Sequence, residues 1–259
     1  MISPAEADSI AAEFMVQHQE QSKFLPLHER ISSRDAAYNV KDAYVARLRQ
    51  ALNSDVCGYK IGLTALKLQQ MMKTDEPTEG EVLSVRRFDA PYSVSLSDYG
   101  RLGIESEICV VLGTDLKSGS TRADVSANLS AISAAYELID DRAADYGAIN
   151  ALSLIADNSW NAAVVLGDPG SGDLDLSARK GVLSCNENVV GEGTTADAIG
   201  HTLDMVVWLA QHLGKRGKYL RAGELVMTGS LIPPVFPKAG ETYVFEVEGL
   251  MPVELVVKA

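Results

Sequence analysis

The chain has 259 residues, 46% of them hydrophobic and 22% charged, and a formal net charge of −12. That length suits one large domain or a core with a smaller appendage, and the composition is ordinary for a soluble globular protein. The acidic surplus argues against nucleic acid as a partner, because phosphate binding needs a basic surface, and it fits anionic membranes poorly.

The first residues are acidic and lack the apolar centre of a secretory signal. Ser3-Pro4-Ala5-Glu6 predicts a helix start, with Ser3 as N-cap, and Ile10 and Phe14 give the helix an apolar side. Pro26 ends that segment. A second helix is expected from Ser33 or Arg34 to about Leu52, with Ala37, Val40, Tyr44, Val45 and Leu48 on one face. From Val56 the pattern changes to short, glycine-punctuated β-like segments, the first being Gly58-Tyr59-Lys60-Ile61-Gly62-Leu63-Thr64. A short helix over 65–72 and a loop over 75–80 are expected to follow, then strands near 92–96 and 103–112. Residues 124–139 read as a helix running into Asp140-Asp141-Arg142. Short strands are expected at 164–166, within 174–190 and within 241–257, and an amphipathic helix over 197–213 that Gly214 stops. Leu225-Val226-Met227 reads as a strand ending in a Thr228-Gly229-Ser230 turn. No run is long and apolar enough to cross a bilayer. Three widely spaced cysteines, Cys57, Cys109 and Cys185, fit a reducing cytoplasm better than a disulfide or zinc framework. The expected organisation is a helical N-terminal region, 1–55, and an α+β core, 56–259. Strands and helices do not alternate regularly, which counts against a doubly wound or TIM-type fold.

The stretch Gly103-Ile104-Glu105-Ser106-Glu107-Ile108 carries the sharpest chemical signal. On a strand, Glu105 and Glu107 share a face, and two converging carboxylates require a positive partner. A hard divalent cation fits best, with Glu137 the leading candidate for a third oxygen ligand. A solvated strand edge is the plain alternative. Lys60, in apolar company between two glycines, could move protons beside a carbonyl or form a Schiff base; a surface lysine is the alternative. Asp157 could hold Lys60 or a water, and Asn158 could donate to a carboxylate, unless both only cap a turn. Thr228 and nearby amides could bind a substrate carboxylate, or form an ordinary turn. The four histidines have no ligand spacing, and no nucleophile elbow or phosphate loop is present.

Together, the segments 58–64, 103–108, 137–142, 156–158, 207–210 and 227–230 resemble the 2-oxopent-4-enoate hydratase and 4-oxalocrotonate decarboxylase family of the fumarylacetoacetate hydrolase superfamily. The resemblance implies a mixed α+β fold of several curved sheets and a homo-oligomer that can also associate with a pathway enzyme. It implies a Mg²⁺ or Mn²⁺ ion on Glu105, Glu107 and Glu137. Lys60 with Asp157 would be catalytic, and Thr228, Asn158, Gly62 and Leu63 would line the substrate site. The implied activity is a lyase of aromatic catabolism: hydration of 2-hydroxypenta-2,4-dienoate-type acids, or decarboxylation of 4-oxalocrotonate. A catalytically silent partner subunit is a further alternative. Two departures stand out. Relatives carry an acid and then an aromatic residue where this chain has Thr78 and Glu79, and small residues where it has Ser159 and Trp160.

Overall fold

A computed structural model describes residues 2–196 and 201–259. Two helices open the chain, α1 (Pro4–Gln19) and α2 (Arg34–Leu52). The Ser3 hydroxyl accepts the Glu6 N–H at the head of α1, and the Ser33 hydroxyl caps α2 from Ala36 N. The apolar stripe expected on α2 is buried throughout, from Ala37 to Leu48. There follow β1 (Val56–Gly62), α3 (Leu66–Met71), β2 (Thr78–Leu83), β3 (Arg87–Asp89), β4 (Tyr92–Ser95) and β5 (Leu102–Leu112). Next come α4 (Arg122–Ala127), β6 (Leu129–Asp140), α5 (Ala151–Ala156), β7 (Asn161–Leu166), β8 (Gly170–Ser171), β9 (Lys180–Cys185) and β10 (Asn188–Thr194). The chain closes with α6 (Thr202–Lys215), β11 (Leu225–Val235), β12 (Thr242–Val247) and β13 (Val253–Lys258).

The strands form two sheets. The larger runs β2-β1-β11-β5-β6-β7-β3, with β8 attached to β6; the smaller runs β10-β9-β12-β13-β4. Strand alternation divides the residues of the large sheet between its faces. Even-numbered residues of β5 and β6, such as Ile108, Val110, Tyr136 and Leu138, join Phe245, Leu255 and the α6 residues Val206 and Leu209 in one core. A second cluster forms where α1, α2 and α5 pack together, and it takes in Leu63, Leu83, Ile139 and Trp160. Odd-numbered residues, including Glu105, Glu107 and Glu137, therefore face away from the small sheet.

Four local expectations change. Residues 129–140 are a strand, not the continuation of a helix, and only Arg122–Ala127 is helical. The alanines there suit a helix, but pairing between β5 and β7 buries both faces, and that tertiary context decides. Gly214 does not stop α6, which ends at Lys215; a Cβ at Gly214 would lie 2.4 Å from Ser118 Cβ, so the glycine serves close packing. The expected start of that helix, 197–200, lies outside the described residues; His201 caps α6, with Asp204 completing the capping box. Thr78, Glu79 and Gly80 belong to β2 and not to a loop. Finally, β11 does not end at Thr228 but runs to Val235 through three shifts of register against β5. No helix among the described residues is long and apolar enough to cross a membrane.

Candidate metal centre and its cavity

Glu105 on β5 stands directly opposite Glu137 on β6, and Glu107 lies two residues further along the same face. One carboxylate oxygen from each falls within 4.8 Å of the others. Glu107 and Glu137 are fully buried, whereas Glu105 is half-buried. Three acids in this space need compensation. Lys60, on β1, supplies part of it, with Nζ 3.1 Å from Glu137 Oε1. Because β11 and β5 lie between β1 and β6, that reach depends on the curl of the sheet. Asn161 Nδ2 donates to the same Glu137 oxygen at 2.8 Å, and Gly229 N–H donates to Glu107 Oε2 at 2.9 Å.

The compensation is incomplete. Glu107 Oε1 and Glu137 Oε2 are buried without a hydrogen-bond partner. Burial pushes the Glu107 carboxyl well above the usual range, and the neighbouring Glu137 and Glu105 add to the rise. Burial likewise raises Glu105, with Lys60 opposing it and Glu137 reinforcing it. A hard divalent cation fits this donor set: it takes carboxylate oxygens, and it would satisfy both orphaned atoms while relieving the repulsion. Lys60 is not the surface lysine that the sequence left as the alternative, being 3% exposed. Burial alone would lower its pKa, but Glu137, Glu105 and Glu107 outweigh it and hold the ammonium above its ordinary value.

A cavity of about 350 Å³ opens onto this cluster. Lys60, Gly62, Leu63, Glu105, Ser159 and Trp160 are among its walls, with α3 and the Pro233-Pro234 segment of β11 at other points. The structure thus brings Glu105, Glu107, Glu137, Lys60, Gly62 and Leu63 together. Three other expected site residues are engaged elsewhere. Asp157 does not hold Lys60: its two oxygens bind His18 Nε2 at 2.8 Å and Arg142 at 2.7 Å. Asn158 is spent on the β2 backbone, accepting from Glu81 N and donating to Glu81 O. The Thr228 hydroxyl donates to Ile108 O at 2.9 Å and so ties β11 to β5.

Asn161, which sequence reasoning missed, and Gly229, whose turn was expected to offer amides to a substrate carboxylate, do structural work at the centre. Asn161, a lone amide at the head of an apolar strand, fixes Glu137. Gly229, at φ +102°, turns its N–H toward Glu107 in a conformation that favours glycine, and a Cβ there would meet Thr64 Oγ1 at 2.3 Å. The departure at 78–79 also becomes clear. Lys60 pairs with Gly80, Gly62 with Thr78 and Ile61 with Glu79, so Thr78 shares the Lys60 face while Glu79 points to the other. There Glu79 binds Lys41 Nζ at 2.6 and 2.9 Å.

Residues 78–258 match the fumarylacetoacetate (FAA) hydrolase C-terminal family. The chain is 34% identical over 220 residues to a 2-keto-4-pentenoate hydratase of Paraburkholderia xenovorans, covering 82% of this chain and 81% of that protein. It is also 34% identical over 223 residues to a 2-hydroxyhexa-2,4-dienoate hydratase of Comamonas testosteroni, covering 82% and 83%. The fold matches that of 4-oxalocrotonate decarboxylase from Pseudomonas putida, solved with magnesium and adipate, at a TM-score of 0.93 with 24% identity and 99% of each chain covered.

Proposed function

The chain belongs to the fumarylacetoacetate hydrolase family, and from that premise we propose that it is a divalent-metal-dependent lyase hydrating 2-hydroxypenta-2,4-dienoate-type acids to 4-hydroxy-2-oxo acids. The observation that carries this reading is the buried set Glu105, Glu107 and Glu137, two of whose oxygens lack partners, placed beside Lys60 at the cavity. Hydratases at 34% identity support the choice of reaction.

Mg²⁺ or Mn²⁺ held by the three glutamates would supply Lewis acidity toward the oxygens of a 2-oxo acid. The chain's own residues supply the rest. Lys60 Nζ holds a proton in the cavity wall and is the group placed to exchange it with the carbon chain of the substrate. Asn161 and Gly229 keep Glu137 and Glu107 in position. Leu63 and Trp160 exclude bulk water from the substrate's flank. Asp157 acts through the fold and not on the proton, since His18 and Arg142 occupy it. Thr228 and Asn158 likewise support the site from behind.

In the balanced reaction the 2-hydroxyl gives up its proton as the far carbon of the dienol takes one up, and the H and OH of water then add across the double bond of the resulting conjugated enone. The test is loss of dienol ultraviolet absorbance with Mg²⁺, with 4-hydroxy-2-oxo acid as product. Turnover that survives exhaustive chelation would sink the proposal, and release of CO₂ from 4-oxalocrotonate would move it to the decarboxylase. A cytoplasmic setting is supported by three cysteines that remain free thiols. A homo-oligomer is supported by the exposed Val189 and Val190 on the edge strand β10.

A further inference from the structure

The cavity has one chemical character at Glu105 and another along the rest of its wall. Its charged residues are Lys60 and Glu105, which belong to the carboxylate cluster, and Lys67, which is exposed. Elsewhere the wall includes Leu63, Met72, Ile139, Leu154 and Trp160, each at most 8% exposed and all within one hydrophobic cluster. Thr64, Tyr146, Ser159 and Ser230 line it too, but the Tyr146, Ser159 and Ser230 hydroxyls already donate to Asp141, Glu79 O and Ile232 O.

Trp160 is held at that wall by backbone and packing. Asn158, Ser159 and Trp160 take φ of 51°, 52° and 60°, three successive left-handed conformations that residues other than glycine rarely adopt. The indole meets Phe24 and Tyr146 edge-on, at centroid separations of 5.6 and 5.7 Å. Its N–H has no partner among the described residues, so no hydrogen bond accounts for its place.

We infer that the cavity selects 2-oxo acids, and their dienol forms, whose far end is uncharged and apolar, with Trp160 setting the length of that end. The inference rests on the proposed binding of the 2-oxo acid head at Glu105. With the head fixed there, the tail lies along the Leu63–Trp160 wall. A second carboxylate on that tail would lose its hydration and find no buried cation besides Lys60, which Glu137 already engages. Lys67 sits in water, where an ion pair contributes little. An apolar tail loses nothing of the kind and covers wall that a five-carbon acid would leave bare.

The test is calorimetric titration of the Mg²⁺-loaded protein with inert saturated acids. 2-Oxohexanoate is expected to bind at least about tenfold more tightly than 2-oxohexanedioate, which has the same carbon chain and one more carboxylate. In Trp160→Ala the affinity for 2-oxooctanoate relative to 2-oxohexanoate should rise about tenfold, whereas Trp160→Phe, which keeps a ring, should leave that ratio near the wild-type value. Equal or tighter binding of the diacid overturns the inference, as does an unmoved ratio in a folded Trp160→Ala protein. If Trp160→Ala does not fold, the two six-carbon acids on the wild type still decide it. Failure to turn over any dienoate while these acids bind counts against the hydratase alone. Failure to bind any 2-oxo acid overturns both.

Discussion

The two faces of the β1–β2 pair carry two ion clusters of opposite design, each built around a buried lysine. On one face Lys60 meets Glu105, Glu107 and Glu137: one cation against three carboxylates, with two buried oxygens unpartnered and a cavity alongside. On the other, Lys41 meets Glu79, Glu81 and Asp42, and Lys218 and Arg216 complete a set of three cations against three acids. The Lys41 ammonium is fully buried, and although burial alone would lower its pKa, Glu79, Glu81 and Asp42 drive it upward. A satisfied cluster ties α2 and α6 to the sheet edge and leaves nothing for a ligand to do. An unsatisfied one beside a cavity offers unpartnered carboxylate oxygens that a cation can bind. The difference in satisfaction, more than burial or charge content, separates a fold-holding network from a site.

The largest expected effect falls on the incomplete cluster. Glu107→Gln keeps an oxygen for the Gly229 N–H but removes a ligand charge. Mg²⁺-dependent turnover should drop about a thousandfold, roughly 4 kcal/mol. The melting temperature of the metal-free protein should hold or rise, because one of three mutually repelling carboxylates is gone. A variant that melted earlier while retaining turnover would mean that the two clusters do the same job. Lys41→Met makes the converse case. It strands Glu79 as a buried charge and should cost about 3–5 kcal/mol in denaturant unfolding. Adding Glu79→Leu should recover most of that loss, and the double-mutant cycle measures how much.

Gly229→Ala sits between these cases. Strain at φ +102° and the contact with Thr64 should cost about 1–3 kcal/mol of stability. Turning the N–H away from Glu107 should also weaken Mg²⁺ binding roughly tenfold, read by titration against a melting curve. Loss of stability with unchanged Mg²⁺ affinity would remove Gly229 from the support of the centre.

The incomplete cluster was far more legible in the sequence than the complete one, for a physical reason. Glu105 and Glu107 are adjacent on one strand, so period-two alternation alone puts them on one face. Lys60 and Glu137 announce themselves as charges within apolar runs. Lys41, Glu79 and Glu81 meet only because α2 packs against β2, and no local period encodes that crossing. The signal that remained was a lysine on the stripe of Val40, Tyr44 and Leu48, a position where a solvated charge does not belong. Strand β6 was misread because its alanines suit a helix as well as a strand until β5 and β7 close around them. Asp157, expected to hold Lys60 or a water, takes its partners instead from α1 and from the residues just after β6, far apart in sequence.

That third cluster, in which both Asp157 oxygens are partnered while Arg142 Nε is buried without one, offers the subtlest test. Asp157 is fully buried, and although burial alone would raise its pKa, Arg142 and His18 outweigh it and hold the carboxyl below the ordinary value of 3.8. A depressed carboxyl adds stability that is present above the unfolded-state pKa and lost as pH falls through the folded one. Wild-type stability should therefore decline as pH drops below about 4, with Asp157 among the groups responsible. Asp157→Asn should be less stable near neutrality, because Arg142 loses its partner, and should show a shallower decline in acid. Denaturant midpoints across pH 2.5–7 provide the measurement. Parallel curves for the two proteins would show that Asp157 contributes no pH-linked stability, and would set this cluster apart from the one built on Lys41.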